Sequence, residues 1–91
     1  MEERIPPQSL EAEQSLLGAM MMSKDAIAAV ITKVKPDYFY KDSHMHIFSA
    51  MLSLYKRNDP IDIVTTAAEL QKMNLLDSAG GKAHLAEVLN S

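Results

Sequence analysis

Asp42, His44 and His46 put a carboxylate and two imidazoles into one short stretch, residue types that ligate a divalent metal or pass a proton. On a helix, side chains two apart project about 200° away from one another, so His44 and His46 do not converge on one ion. His44 instead falls on an apolar face with Phe48, where a hydrogen-bonded core histidine is the simpler reading. Glu11 and Glu13 resemble a pair of catalytic carboxylates, but the same spacing parts them and no histidine or metal motif accompanies them. Acids in the first turn of a helix favour its dipole. Glu13 projects into an apolar arc and is expected to accept hydrogen bonds from a neighbouring loop. A small enzyme using Glu13 and His44 as acid and base is thus the weakest of three functional readings.

Gly80-Gly81-Lys82 has the look of the end of a phosphate-binding loop, yet Leu76 stands where that motif needs its first glycine and Ala83 follows the lysine in place of Ser or Thr. Nucleotide binding by this segment is therefore not expected. Lys33, Lys35 and Lys41 interleave with Tyr38, Phe39 and Tyr40, the composition of a base-stacking platform, although lysines rimming a buried aromatic plug have the same composition. Among Met20, Met21 and Met22, the first two continue a helical stripe and Met22 is surplus to it.

These residues need helices to position them. Pro6-Pro7 favours an extended arm over residues 1–8, and Ser9 is placed to cap a first helix from Leu10, with Leu10, Leu16, Leu17, Met20 and Met21 on one arc of roughly 140°. Ser23 caps a second helix from Lys24, which carries Ile27, Val30, Ile31 and Val34 and ends near residues 33–35 because Pro36 forbids its continuation. The aromatic connector, residues 37–40, reads as a short turn whose rings cover the end of the core. Ser43 is expected to cap a central helix over about 44–56, with Ile47, Phe48, Met51, Leu54 and Tyr55 inward. Asn58-Asp59-Pro60 is a turn, and Asp62 caps a fourth helix that Asn74 closes in a left-handed conformation. Leu75 and Leu76 fold back on the core, the chain breaks at Gly80-Gly81, and Leu85, Val88 and Leu89 mark a final helix.

The fold class that follows is all-α, a compact orthogonal bundle of about five to six short helices over residues 9–91. Its 91 residues, 47% hydrophobic, suffice for one small core. A net charge of −3 without a clustered basic face argues against a dedicated DNA-binding module. No run is long enough to span a bilayer, and the absence of cysteine weakly favours a reducing compartment, so a soluble cytoplasmic protein is expected.

From Arg4 onward the sequence resembles the N-terminal domain of the bacterial replicative DNA helicases of the DnaB family. The residues that carry the resemblance are Pro6-Pro7, Leu10-Glu11-Ala12-Glu13-Gln14 with Leu17-Gly18, Asp37-Tyr38-Phe39-Tyr40 before His44, Ile47-Phe48, Pro60-Ile61-Asp62 with Val64-Thr65, Leu75-Leu76 and Gly80-Gly81. The resemblance implies an all-helical head in the collar of a hexameric helicase, joined through a helical hairpin and linker to a RecA-like motor that uses ATP and Mg²⁺ to unwind DNA 5′ to 3′. It further implies contacts with primase, with a helicase loader and with other helicase subunits. The chain itself is then expected to be a fragment of a longer protein that holds no cofactor or metal, performs no catalysis and makes no direct nucleic-acid contact. Met22, Tyr38 and Tyr40 are its candidate partner-contact residues. The rival reading is a stand-alone helical adaptor or regulator that binds a replication protein or, through the 33–41 segment, single-stranded DNA.

Overall fold

Helix α1, Leu10–Met22, and helix α2, Lys24–Ile31, are separated by a single residue in the computed structural model, which describes residues 10–90. The arm expected over residues 1–8 and the Ser9 cap lie outside the described residues. Ser23 makes the break. Its backbone is extended and its hydroxyl accepts the Ala26 amide at 3.3 Å, so it caps α2 while ending α1. Helix α2 stops at Ile31, short of the expected 33–35, where the chain tightens: the Lys33 amide reaches back only three residues, to the Val30 carbonyl at 2.9 Å, an acceptor it shares with the Val34 amide. A 3-10 turn, Pro36–Tyr38, follows and leads into α3, Asp42–Lys56.

Two turn asparagines adopt the left-handed conformation, Asn58 at φ 64° and Asn74 at φ 66°. At the end of α3, Asp59 donates to the Leu54 carbonyl and Asn58 to the Tyr55 carbonyl. At the end of α4, Ile63–Lys72, Leu75 donates to Leu70 and Asn74 to Gln71. Each pair of bonds satisfies carbonyls that a helix end would otherwise orphan. The start of α4 is closed by a reciprocal box in which Asp62 Oδ1 accepts the Thr65 amide at 2.8 Å and Thr65 Oγ1 accepts the Asp62 amide at 2.9 Å. Gly80, at φ 97°, then turns the chain into α5, Gly81–Leu89.

The described residues form an all-α bundle in which α1 packs against α2, α3 and α5, while α3 also receives α4 and the 3-10 turn. Leu17, Met20, Ile47, Phe48, Met51, Leu70, Leu85 and Val88 are wholly buried between them. Three expectations need correction. Helix α3 begins at Asp42, so Ser43 lies inside it and Lys41 holds the N-cap position without a side-chain bond. Tyr55, expected inward, is 38% exposed. Of the connector rings only Phe39 is buried, with its centroid 5.1 Å from that of Phe48, whereas Tyr38 and Tyr40 face outward.

Gly18 sets the approach of α5 to α1. It is buried, and a β-carbon there would collide with the backbone carbonyl oxygen of Val88. Alanine would gain about 1 kcal/mol of helix propensity, but a backbone obstacle cannot rotate away, and overpacking costs typically 1–3 kcal/mol or more. Gly18→Ala is therefore expected to lower the melting temperature, measured by circular dichroism, despite its better helix former.

Candidate functional site

Glu13 lies in the first half of α1, and its carboxylate leaves that helix to serve another. Its Oε2 accepts the Tyr40 amide at 2.6 Å, and its Oε1 accepts the Lys41 amide at 3.4 Å and faces Nδ1 of His44 at 2.9 Å. All three donors belong to the entrance of α3. A carboxylate borrowed from α1 thus occupies the anion-friendly end of α3, which explains why that helix starts before Ser43 and needs no side-chain cap of its own. The expected acceptance of loop hydrogen bonds by Glu13 is what the geometry contains.

His44 is 1% exposed and Glu13 5%, so neither can reach a substrate without the core opening. With Nδ1–H donating to the carboxylate, Nε2 of His44 has no hydrogen-bond partner among the described residues. The ring stacks nearly parallel on His84 of α5, with centroids 5.6 Å apart, and Nδ1 of His84 contacts Glu87 at 3.2 Å. The pKa of His44 is lowered, chiefly because burial disfavours its cation; the Glu13 hydrogen bond opposes this only in part. A neutral, buried imidazole is a structural pin between α1, α3 and α5. It lacks the access required of a general acid or base.

Asp42 and Asp37 are exposed and His46 is half-buried, and among the described residues no group of three potential ligands is placed to hold a metal ion. Lys33, Lys35, Lys41, Tyr38 and Tyr40 are exposed, but Phe39 between them is committed to Phe48, so the central ring of a stacking platform is missing. Met22 is 74% exposed. Tyr40 is tied by its amide to Glu13 in the first half of α1, whereas Met22 ends that helix and lines a groove that includes neither Tyr38 nor Tyr40.

Two features had no counterpart in the sequence reading. The first is the ion cluster between α3 and α4. Arg57 reaches both oxygens of Glu69, at 3.0 and 2.8 Å, Ser53 Oγ donates to Glu69 at 2.8 Å, and Lys72 approaches it at 3.5 Å. Arg57 also bonds Asp59 at 3.0 Å. The Arg57 bond leads in holding the Glu69 pKa down to about 2. The second is a half-open groove of about 300 Å³ between the α1–α2 junction and the α3–α4 turn, with Met22, Tyr55 and Ile61 among its lining residues. Arg57 and Glu69 are too far apart in sequence for a local pattern to pair them. The exposed Met22 was the one visible signal of the groove.

His44 and Glu69, whose pKa values both lie below the ordinary ones, are expected to make the fold lose stability in acid in two steps. His44 takes a proton more readily when unfolded, so its contribution is intact above about pH 6.5 and erodes below it. Glu69 stabilises the fold above its ordinary range and loses that contribution as the pH falls from about 5 toward 2. Thermal melts across pH 8 to 2 are expected to show both declines, and Glu69→Gln is expected to flatten the lower one while leaving the upper in place.

Residues 5–91 match the family described as DnaB-like helicase N terminal domain. The sequence is 46% identical over 88 residues to the replicative DNA helicase DnaB of Mycobacterium leprae, across 97% of this chain and 15% of that protein. It is 41% identical over 91 residues to the replicative DNA helicase DnaC of Bacillus subtilis, across 100% of this chain and 20% of that protein. The fold superposes on the crystal structure of the N-terminal domain of DnaB helicase from Mycobacterium tuberculosis with a TM-score of 0.89 at 46% identity, covering 94% of this chain and 61% of that one. The chain thus spans between 15% and 20% of the length of these two helicase relatives. A bundle closed by the Glu13 clasp, matched along almost its whole sequence and in its backbone, assigns the chain to the DnaB-like helicase N-terminal domain family.

Proposed function

We propose that this chain is the non-catalytic head of a cytoplasmic replicative DNA helicase, a protein-interaction module that helps organise the ring and engages primase and a helicase loader. Unwinding with ATP and Mg²⁺ belongs, in this reading, to a motor domain of the longer protein. The observation that supports it best is the family match over residues 5–91 to a segment that makes up only a fifth or less of proteins named replicative helicases. The chemistry agrees: the paired acid and imidazole are buried in structural bonds, and the Gly80-Gly81-Lys82 segment serves as the entrance to α5. Phosphoryl transfer needs a phosphate loop, a metal-binding carboxylate and a charge-neutralising arginine brought together, and the sequence offers no such combination.

The isolated chain tests this division of labour. ATP hydrolysis at the level of buffer is expected, together with a monomer or a weak, concentration-dependent dimer in light scattering coupled to size exclusion. The large apolar side chains exposed among the described residues are Met22, Tyr38, Tyr40, Tyr55 and Val64, a small set beside the roughly 20–30 residues a side of a standard stable interface. A hydrolysis rate that survives repurification, or a stable hexamer, would overturn the assignment of catalysis and ring closure to the rest of the protein.

A further inference from the structure

We propose that the groove between the α1–α2 junction and the α3–α4 turn docks a short segment of a partner protein that presents an aliphatic side chain beside a carboxylate. This deepens the interaction-module reading and rests on it. The groove has the chemistry for each part of such a segment. Its buried side is formed by Met20, Met21 and Ile27, and Met22 stands 74% exposed at its edge with Tyr55 38% exposed beside it. Unbranched thioether side chains adapt to the shape of an incoming aliphatic group, and covering Met22, the one of the three that faces water, is favourable.

The polar rim selects charge. The groove runs on into a shallower depression that shares Lys24, Tyr55 and Asn58 and adds Lys56 and Asp25. Asp59, the other acid in the groove, is already bonded to Arg57 at 3.0 Å. Lys24 and Lys56 lie within ion-pair distance of no carboxylate among the described residues, and the exposed Asp25 is unpaired as well, so the rim sets two ammonium groups against one free carboxylate and is net positive. Asn58 supplies the third element. Its backbone is fixed by the left-handed cap of α3, and its side-chain amide makes no hydrogen bond among the described residues. A planar amide so placed can donate to and accept from one peptide unit of an extended segment. At about 300 Å³ the groove seats one or two side chains, the scale of a peptide anchor and not of a second folded copy.

The test is a titration of the ¹⁵N-labelled chain with three blocked pentapeptides: Glu-Leu-Ala-Glu-Leu, the same peptide with Lys for Glu, and the same with Ser for Leu. The acidic leucine peptide is expected to shift the amides of Met22, Lys24, Tyr55 and Asn58 and to bind at least tenfold more tightly than either control. Lys24→Glu with Lys56→Glu, both on the exposed surface, is expected to reverse the preference toward the lysine peptide. Equal binding of all three peptides, shifts centred elsewhere, or no shift at millimolar peptide would overturn the proposal. So would concentration-dependent shifts at Met22 and Tyr55 without peptide, which would give the groove to a second copy. Hydrolysis and assembly of the chain are measured without peptide, so a failed titration removes the groove and leaves the head reading standing.

Discussion

Phe48→Ala is expected to leave the chain largely unfolded at 37 °C. Phe48 is the largest of the fully buried side chains, and its ring is 5.1 Å from Phe39 in a tilted pair that joins α3 to the connector. Truncating a buried phenylalanine typically costs about 3–5 kcal/mol, and a domain of this length has a total stability of roughly 5–14 kcal/mol. Each kcal/mol moves the melting temperature of such a domain by about 4–8 °C, so circular dichroism should record a fall of more than roughly 12 °C. A cooperative melt within a few degrees of the parent would show that the ring does not anchor the core. Phe39→Leu offers a graded comparison, since it removes the ring pair while keeping an apolar plug over Phe48.

Glu13→Ala is expected to be as damaging although the residue is charged. It deprives the Tyr40 amide and the His44 imidazole of their acceptor inside a closed interface, where hydrogen bonds to a charged group contribute about 1.5–3 kcal/mol each. The combined loss is roughly 3–6 kcal/mol. Glu13→Gln separates the clasp from mere packing. Its carbonyl can still accept from Tyr40, and its amide can donate to His44 once that ring carries its proton on Nε2, so a loss of only about 1–2 kcal/mol is expected. Urea denaturation of the two variants decides the matter: equal, small losses would mean that Glu13 is not a cap for α3.

The contrast between these two residues shows what was legible beforehand. Phe48 followed from helical periodicity alone, as did Leu17, Met20 and Val88, because an apolar stripe at 3.6-residue spacing has one place to go. The caps at Ser23 and Asp62, each a side-chain acceptor three residues from its amide, and the left-handed Asn74, a residue type that tolerates that conformation, were equally local. The entrance of α3 was not. Ser43 was the best local cap, but an acid 27 residues away supplies stronger acceptance, and tertiary structure overrode the local preference. Arg57 with Glu69, and His44 with His84, are pairings between helices that no single periodic pattern encodes. Gly18 carried a signal in its type, a glycine inside a helical stripe, whose reason appeared only when Val88 of α5 was found against it. Of the candidate contact residues, Met22 lines a groove, while Tyr38 and Tyr40 are exposed outside its lining, Tyr40 beside the Glu13 clasp.

The central claim, that this chain is an organising head of a replicative helicase, is tested most directly by grafting it. The Bacillus subtilis relative is prepared intact, without its N-terminal segment, and with that segment replaced by this chain, and unwinding of a forked duplex is measured with and without primase. The graft is expected to unwind the fork and to respond to primase as the intact protein does, and better than the headless one. A graft that hydrolyses ATP as well as the intact protein, yet unwinds and responds to primase no better than the headless one, would contradict the claim.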